Sequence, residues 1–195
     1  EWINDHFKII LVDKIYTARV LLKEAKIIKD EWDYDGILVD PYNSLAKDPQ
    51  LLRSVGGHEY DYQIASEFRL FCKENNVSMW LNCHAVTEAL RRKHPADHEY
   101  AGHPQPCSMA DVEGGGKWGN RADDVISCHR YTQHSERWMF SDIHVVKVKE
   151  TETGGRPTSQ DAPISMRMMP ANCQFTVAGQ DVIQKKQIKA EKLEW

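Results

Sequence analysis

"YDGILVDPYNSL", residues 34–45, decides how this chain is read. Gly36 to Val39 form an apolar run that stops on an acid, Asp40, and Pro41, Tyr42, Asn43 and Ser44 follow at once. The run does not alternate between polar and apolar residues. That pattern predicts a strand buried on both faces, as in parallel sheets. The turn-forming residues after it predict a sharp end.

The flanking segments fit a strand–helix alternation. Upstream, "HFKIILVD" predicts a strand ending at Asp13, and "TARVLLKEAKIIKDEW" predicts a helix. Thr17 is placed to cap that helix, and Val20, Leu21, Ala25, Ile28 and Trp32 recur at helical spacing. Downstream, "KDPQLLRSVGGHEYD" reads as a polar loop centred on Gly56 and Gly57. "YDYQIASEFRLFCKENN" reads as a helix with Ile64, Ala65, Phe68, Phe71 and Cys72 on one side, and "VSMWLNCH" as a strand. Strands alternating with helices at this spacing imply a parallel sheet covered by helices. From about Ala85 to Arg121 the chain reads as a long irregular stretch rich in Pro, His and Gly, the kind that is usually functional or mobile. "ADDVISCHRY", "RWMFSDIHVVKVKET" and "APISMRMMP" then supply closely connected strands, an antiparallel extension at one edge. "VIQKKQIKAEKLEW" reads as a surface helix.

Composition narrows the class. The chain has 195 residues, 41% hydrophobic and 28% charged, with a formal net charge of −4. That is enough for a real core, and it gives no global basic field, so nucleic-acid contact would have to use local basic loops. No apolar run is long enough to span a bilayer, and "EWINDHFK", with charges throughout, has no signal-peptide pattern. The chain does not begin with Met and is read as a piece of a longer protein. Its five cysteines, Cys72, Cys83, Cys107, Cys128 and Cys173, are odd in number and form no CxxC. They are expected to be reduced thiols of a cytoplasmic protein.

In open parallel sheets ligands gather beyond the carboxyl ends of the strands. Asp40 stands at such an end. An acid there, after an apolar run, is the Walker B pattern, which holds Mg²⁺ beside nucleotide phosphates. The plain alternative is an aspartate that caps the following turn. His84 ends the next strand, where a polar side chain can sense a γ-phosphate; a structural histidine is the alternative. Lys147 and Lys149 alternate with valines and share one side of their strand. Two ammonium groups before Gly154–Gly155 suit phosphate binding, and lysines guarding an edge strand are the alternative.

Other patterns are set aside. "EGGGKWGNRADD" resembles a phosphate loop, but Asp111 stands where the first Gly is required and Trp118 follows Lys117 instead of Ser or Thr. No other segment supplies that loop. His94, His98, His103 and Cys107 have tolerable zinc spacing but lie in loop-like sequence without a CxxC, so scattered surface histidines are the better reading. There is no G-x-S-x-G. A metal-dependent nuclease or phosphotransferase using Asp40 with Asp123 or Asp124 is a further alternative.

In the order of these pieces, from about His6 to Met169, the chain resembles the C-terminal portion of the RecA-like ATPase domain of DnaB-type replicative helicases, phage and Twinkle-like primase-helicases among them. "GILVDPYNSL" is similar to the Walker B segment. "LNCHAVTEALRRKHP" is similar to the following motif, with His84 at the sensor position, and "GGGKWGNRADDVISCHR" to a glycine loop followed by an Ala-Asp strand. "VVKVKETETGG" resembles the K-x-R segment that reaches a neighbouring subunit's nucleotide; the arginine of that segment falls on Lys149. The family's catalytic glutamate lies upstream of the resembling region.

The resemblance implies an α/β RecA-like fold, mainly parallel with antiparallel edge strands and truncated at the N-terminus. Residues 1–170 would form a partial ATPase core without the phosphate loop, and residues 171–195 a tail or helix. It implies ATP and Mg²⁺ as cofactors, single-stranded DNA as partner and a ring-forming, hexamer-type homo-oligomer. Asp40 would hold the metal, His84 would read the γ-phosphate, and Lys147 and Lys149 would act on the neighbour's nucleotide. The loops 47–60 and 93–117 would face DNA, with Arg53, Arg91, Arg92, Lys93 and Lys117 as phosphate contacts. This chain alone is expected not to hydrolyse ATP. The alternative is a non-catalytic RecA-like module that binds nucleic acid or partners a helicase.

Overall fold

The computed structural model describes residues 2–11, 15–112 and 114–182, and these divide between two compact units, Glu1–His84 and Ala85–Trp195. Asp13 and the tail helix expected after Val182 lie outside the described residues.

The first unit is built around two parallel strands. α1 (Trp2–His6) is followed by Phe7–Leu11, which is not a strand, contrary to the strand expected over "HFKIILVD". Phe7, Ile9 and Leu11 stay exposed there, so their apolar run finds no sheet to join among the described residues. α2 (Ala18–Glu31) begins where Thr17 accepts a hydrogen bond from Val20 N, and it buries Ala18, Leu21 and Ala25. β1 (Gly36–Val39) pairs in parallel with β2 (Ser78–Leu81), Gly36 opposite Ser78 and Val39 opposite Leu81. Between them runs α3 (Pro49–Asn75).

α3 corrects the expected polar loop. Asp48 accepts from Gln50 N and Leu51 N, and Pro49 takes the first turn, so helix starts there and not at Tyr60. Asp before Pro is a start signal in its own right. Gly56, at φ +76°, is the one non-helical residue inside and marks a kink. The C-terminus closes on Asn76 in the left-handed region, whose N–H donates to Cys72 O.

One face of the β1–β2 pair is covered. Ala25, Tyr34, Phe71 and Val77 pack with Ile37 and Met79, and Tyr16, Leu21 and Val39 pack with Leu81. Arg19 ties α2 to α3 through paired hydrogen bonds to Glu67 at 2.9 and 2.6 Å. The other face is not covered: Leu38 is 66% exposed and Trp80 59%, against 7% for Val39. The expected two-sided burial is therefore one-sided. An uninterrupted apolar run shows that a strand has hydrophobic residues on both faces, not that both faces have found partners.

The second unit is antiparallel. After α4 (Thr87–Arg91), a 3₁₀ turn at Met109–Asp111 and α5 (Gly116–Arg121), a five-stranded sheet runs in the order β3 (Asp124–His129), β4 (Phe140–Val148), β5 (Ile164–Met169), β6 (Gln174–Val177) and β7 (Gln180–Asp181). The short α6 (Thr151–Gly154) follows β4. β6 and β7 lie in the stretch read from sequence as tail; they form a hairpin that continues the sheet from β5.

Candidate functional site at the strand ends

β1 and β2 end side by side, and their backbones stay linked past the last sheet residues. Asn82 N donates to Val39 O at 2.9 Å, and Tyr42 N donates to Asn82 O at 2.8 Å. This brings Asp40 next to Asn82, whose amide nitrogen donates to Asp40 Oδ1 at 2.5 Å. The Asp40–Pro41 peptide is cis. Asn43 reaches across as well, its side-chain oxygen accepting from His84 N at 2.8 Å. Asp40 and His84 are therefore brought to the same end of adjacent parallel strands, and both are exposed.

Asn82 and Asn43 are missed by the sequence reading, yet they fix the two strand-end loops to each other. The only signal for them is position: an amide just beyond each apolar run. A buried floor lies beneath. Tyr42 OH donates to Asp61 at 3.0 Å, and Asp61 is buried. Burial, then the Asp61 charge and this hydrogen bond, push the Tyr42 phenol far above its ordinary range. Burial and the Asp61 charge push the Cys83 thiol up to about 11, so it is not a nucleophile at neutral pH. Asp61 had a signal: it precedes Ile64, Ala65 and Phe68 at helical spacing, a carboxylate on an apolar stripe.

An exposed carboxylate with one oxygen steadied by an amide, at the carboxyl end of a parallel strand, fits a hard divalent cation that keeps most of its waters. Asp40 is the residue here that would hold Mg²⁺. His84, with its backbone fixed by Asn43 and its ring in solvent, is free to contact an anion beside it.

The lysines belong to the second unit and are engaged differently. Lys147 is half-buried, and its Nζ donates to Gly119 O and Ala122 O, both at 2.7 Å. It thus satisfies carbonyls at the end of α5, where a cation is also favoured by the helix dipole. Lys149 Nζ pairs with Asp123 at 2.9 Å. β5 pairs with β4 only over Phe140–Ile143, so at Lys147 the strand has a sheet partner on one side, Val125 of β3. Asp123 is thereby occupied by Lys149, and Asp124 Oδ1 accepts from Lys149 N at 3.3 Å.

The proposed phosphate contacts are scattered. Arg53 is exposed on α3, not on a loop. Arg91 is exposed and pairs with Glu88 at 3.8 Å. Arg92 is exposed but engaged: it bonds Asp111, the buried acid that also accepts from Ser108 N and Oγ in the 3₁₀ turn. Lys93 is exposed and Lys117 half-buried.

The zinc set does not assemble. Among the described residues no group of three or more His, Cys, Asp or Glu side chains is placed to hold a metal. Nor are these histidines scattered over the surface. His94 and His98 stack at 3.9 Å and are half-buried with Tyr100 and Tyr131. Among the described residues, no helix is long and apolar enough to cross a membrane.

No family model matches the sequence, and no curated protein matches it. The fold, however, is similar to solved structures. One is an ATPase domain, with a TM-score of 0.58 at 13% identity over 83% of this chain. Another is a DnaB-like replicative helicase studied for its interactions with primase, with a TM-score of 0.62 at 13% identity over 85% of this chain. The chain spans 51% of the first and 37% of the second. At that identity the likeness establishes the fold alone: a mixed α/β fold like that of RecA-like helicase ATPase domains, with a parallel sheet in the first unit, an antiparallel sheet in the second, and helices in each.

Proposed function

We propose that this chain is the C-terminal portion of a RecA-like ATPase domain from a DnaB-type replicative helicase, of the phage or Twinkle-like primase-helicase kind. The whole protein would be a cytoplasmic ring of identical subunits that uses MgATP to move along single-stranded DNA. One observation supports the reading: Asp40 and His84 stand exposed at the carboxyl ends of paired parallel strands, Asp40 bonded by Asn82 and the His84 backbone by Asn43. MgATP would supply the phosphoanhydride to be cleaved. Asp40 would position the cation through its waters, and His84 would donate a hydrogen bond to phosphate oxygen. The reading requires a G-x-x-x-x-G-K-[ST] loop from outside these residues, because none occurs within them.

The test is Asp40→Asn in the intact protein. Asn keeps an acceptor for Asn82 and removes the charge. DNA-stimulated ATP hydrolysis should fall on the order of 100-fold, as expected when a positioned metal loses its anchor, while the melting temperature stays put. Unchanged hydrolysis would sink the assignment.

A second reading is a non-catalytic RecA-like module that binds nucleic acid or partners a helicase. What favours it is the engagement of both lysines. Within this chain Lys147 donates to two backbone carbonyls and Lys149 pairs with Asp123. Under this reading Asp40→Asn leaves DNA or partner binding unaltered and there is no hydrolysis to lose.

A further inference from the structure

The second unit carries a cluster of histidines and tyrosines that the proposed ATPase chemistry does not use. Its upper part is the turn 92–105. That turn is closed by His94 N to His103 O at 2.9 Å, Gly102 N to His94 O at 3.1 Å and Gln105 N to Arg92 O at 3.0 Å. Its lower part is the end of β3 and the turn that leads into β4. Tyr131, buried, is the hub: it stacks on Tyr100 at 4.2 Å, meets His129 edge-on at 4.5 Å, and its hydroxyl lies 3.1 Å from His94 Nε2. His103 and His134 sit 5.1 Å apart beside it.

We propose that this cluster is a proton-operated latch, which holds the turn 92–105 onto the β3–β4 end while its imidazoles are neutral and releases it when they are protonated. The geometry demands the neutral form at several rings. His98 Nδ1 accepts from Tyr100 N at 3.0 Å, so that nitrogen cannot carry a proton. His134 Nδ1 accepts from Glu136 N at 3.2 Å and Arg137 N at 3.3 Å, with the same consequence. His129 Nε2 is sealed from solvent, so charging that ring would place a cation out of reach of water. His94 and His98 are stacked face to face, and two charged rings at 3.9 Å would repel.

Burial and the repulsion between neighbouring imidazoles strengthen this. Arg137, 5.9 Å from the Tyr100 ring, is paired with the buried Asp142 and Ser165, and that pairing neutralises the carboxylate nearest the cluster. Burial first, then the charges of His98 and His103, lower the affinity of His94 for a proton. Burial first, then His144, does the same for His129, although Asp142 and a hydrogen bond with the Pro104 backbone oppose it. His144 is lowered by burial against the pull of Asp142. Glu99 acts on Tyr100 and Arg137 in the same cluster. Groups whose native proton affinity is lowered contribute stability that is present above the ordinary imidazole range and lost as pH falls through the native values. The latch therefore loosens on the acid side.

Amide hydrogen exchange on the whole chain tests this at pH 7.5 and pH 5.5, after correction for intrinsic rates. Protection at His94, Gly102, His103 and Gln105 should fall by about tenfold or more at the lower pH. The ladder between β4 and β5 should keep its protection. A double variant, His98→Asn with His134→Asn, keeps an acceptor for the same backbone N–H groups and cannot charge; its acid loosening should be reduced. Unchanged protection, a loss shared by the whole sheet, or a full acid response in the double variant would each overturn the proposal. Should the variant not fold, ring titrations by NMR decide. Midpoints for His94 and His129 below those of free histidine uphold the latch, and ordinary midpoints overturn it.

Discussion

The strand ends of the first unit and the lysine strand of the second use polar groups in opposite ways. Asp40 and His84 are exposed; one carboxylate oxygen takes a single amide, and the His84 side chain projects from a backbone that Asn43 holds. Lys147 and Lys149 look just as suited to phosphate in the sequence, but their ammonium groups are already satisfied by carbonyls and by Asp123. Ligand binding costs least where the binding group gives up only water. On the proposed reading the chemistry belongs at the β1–β2 ends, while within this chain the lysines bond groups of their own unit.

His84→Ala in the intact protein should separate the two regions most widely. It removes an exposed ring, so stability should stay within about 0.5 kcal/mol. If His84 contacts the reacting phosphate, ATP hydrolysis should drop on the order of 100-fold. Lys147→Met is the counterpart. It keeps the aliphatic stem but leaves Gly119 O and Ala122 O without their donor, and chemical denaturation should register a loss of about 1–3 kcal/mol. A Lys147→Met protein of full stability and no ATPase would reverse the comparison and make Lys147 part of the catalytic apparatus.

Much of this arrangement is legible in the sequence. The apolar run into Asp40, Thr17 at the head of a helical stripe, and the strand before His84 are local signals, and each element stands where its residues put it. The failures have separate causes. Gly56–Gly57 suggested a loop, but Asp48–Pro49 starts a helix that a single positive-φ glycine bends without ending. "HFKIILVD" has strand composition, yet a strand needs a partner, and composition cannot supply one. The β6–β7 hairpin was hidden in sequence read as tail. At the site, Asp40 and His84 were visible because each ends an apolar run. The partners of Lys147 were not, because Gly119 O and Ala122 O are backbone atoms that no residue type announces. The histidine cluster was invisible for a related reason: His94 meets Tyr131, and Tyr100 meets His134, only through the fold.

Lys149→Ala is expected to matter less than Lys147→Met. The pair with Asp123 is exposed on both sides, and exposed ion pairs contribute at most about 1 kcal/mol, less in salt. Melting curves at low and high ionic strength should converge for the wild type and the variant. If Lys149→Ala instead abolished hydrolysis in the assembled protein while sparing stability, the Asp123 pair would be one that opens when a neighbouring nucleotide arrives, and the motor reading would gain its second cation.

The smallest effect is expected on the open face of the parallel pair. Leu38 and Trp80 project away from the core that holds Ile37, Val39, Met79 and Leu81. An apolar side chain already two-thirds in water contributes little by transfer, so Leu38→Ser should change the stability of this chain by no more than about 0.5 kcal/mol. Val39→Ser, one residue along and facing the other way, should cost several times as much, because it removes buried apolar area and leaves a hydroxyl in the core. Denaturant titration of the two variants side by side reads the sidedness of β1 directly. Equal losses would mean that Leu38 is covered as well, and that the strand is buried on both faces, as its unbroken apolar run first suggested.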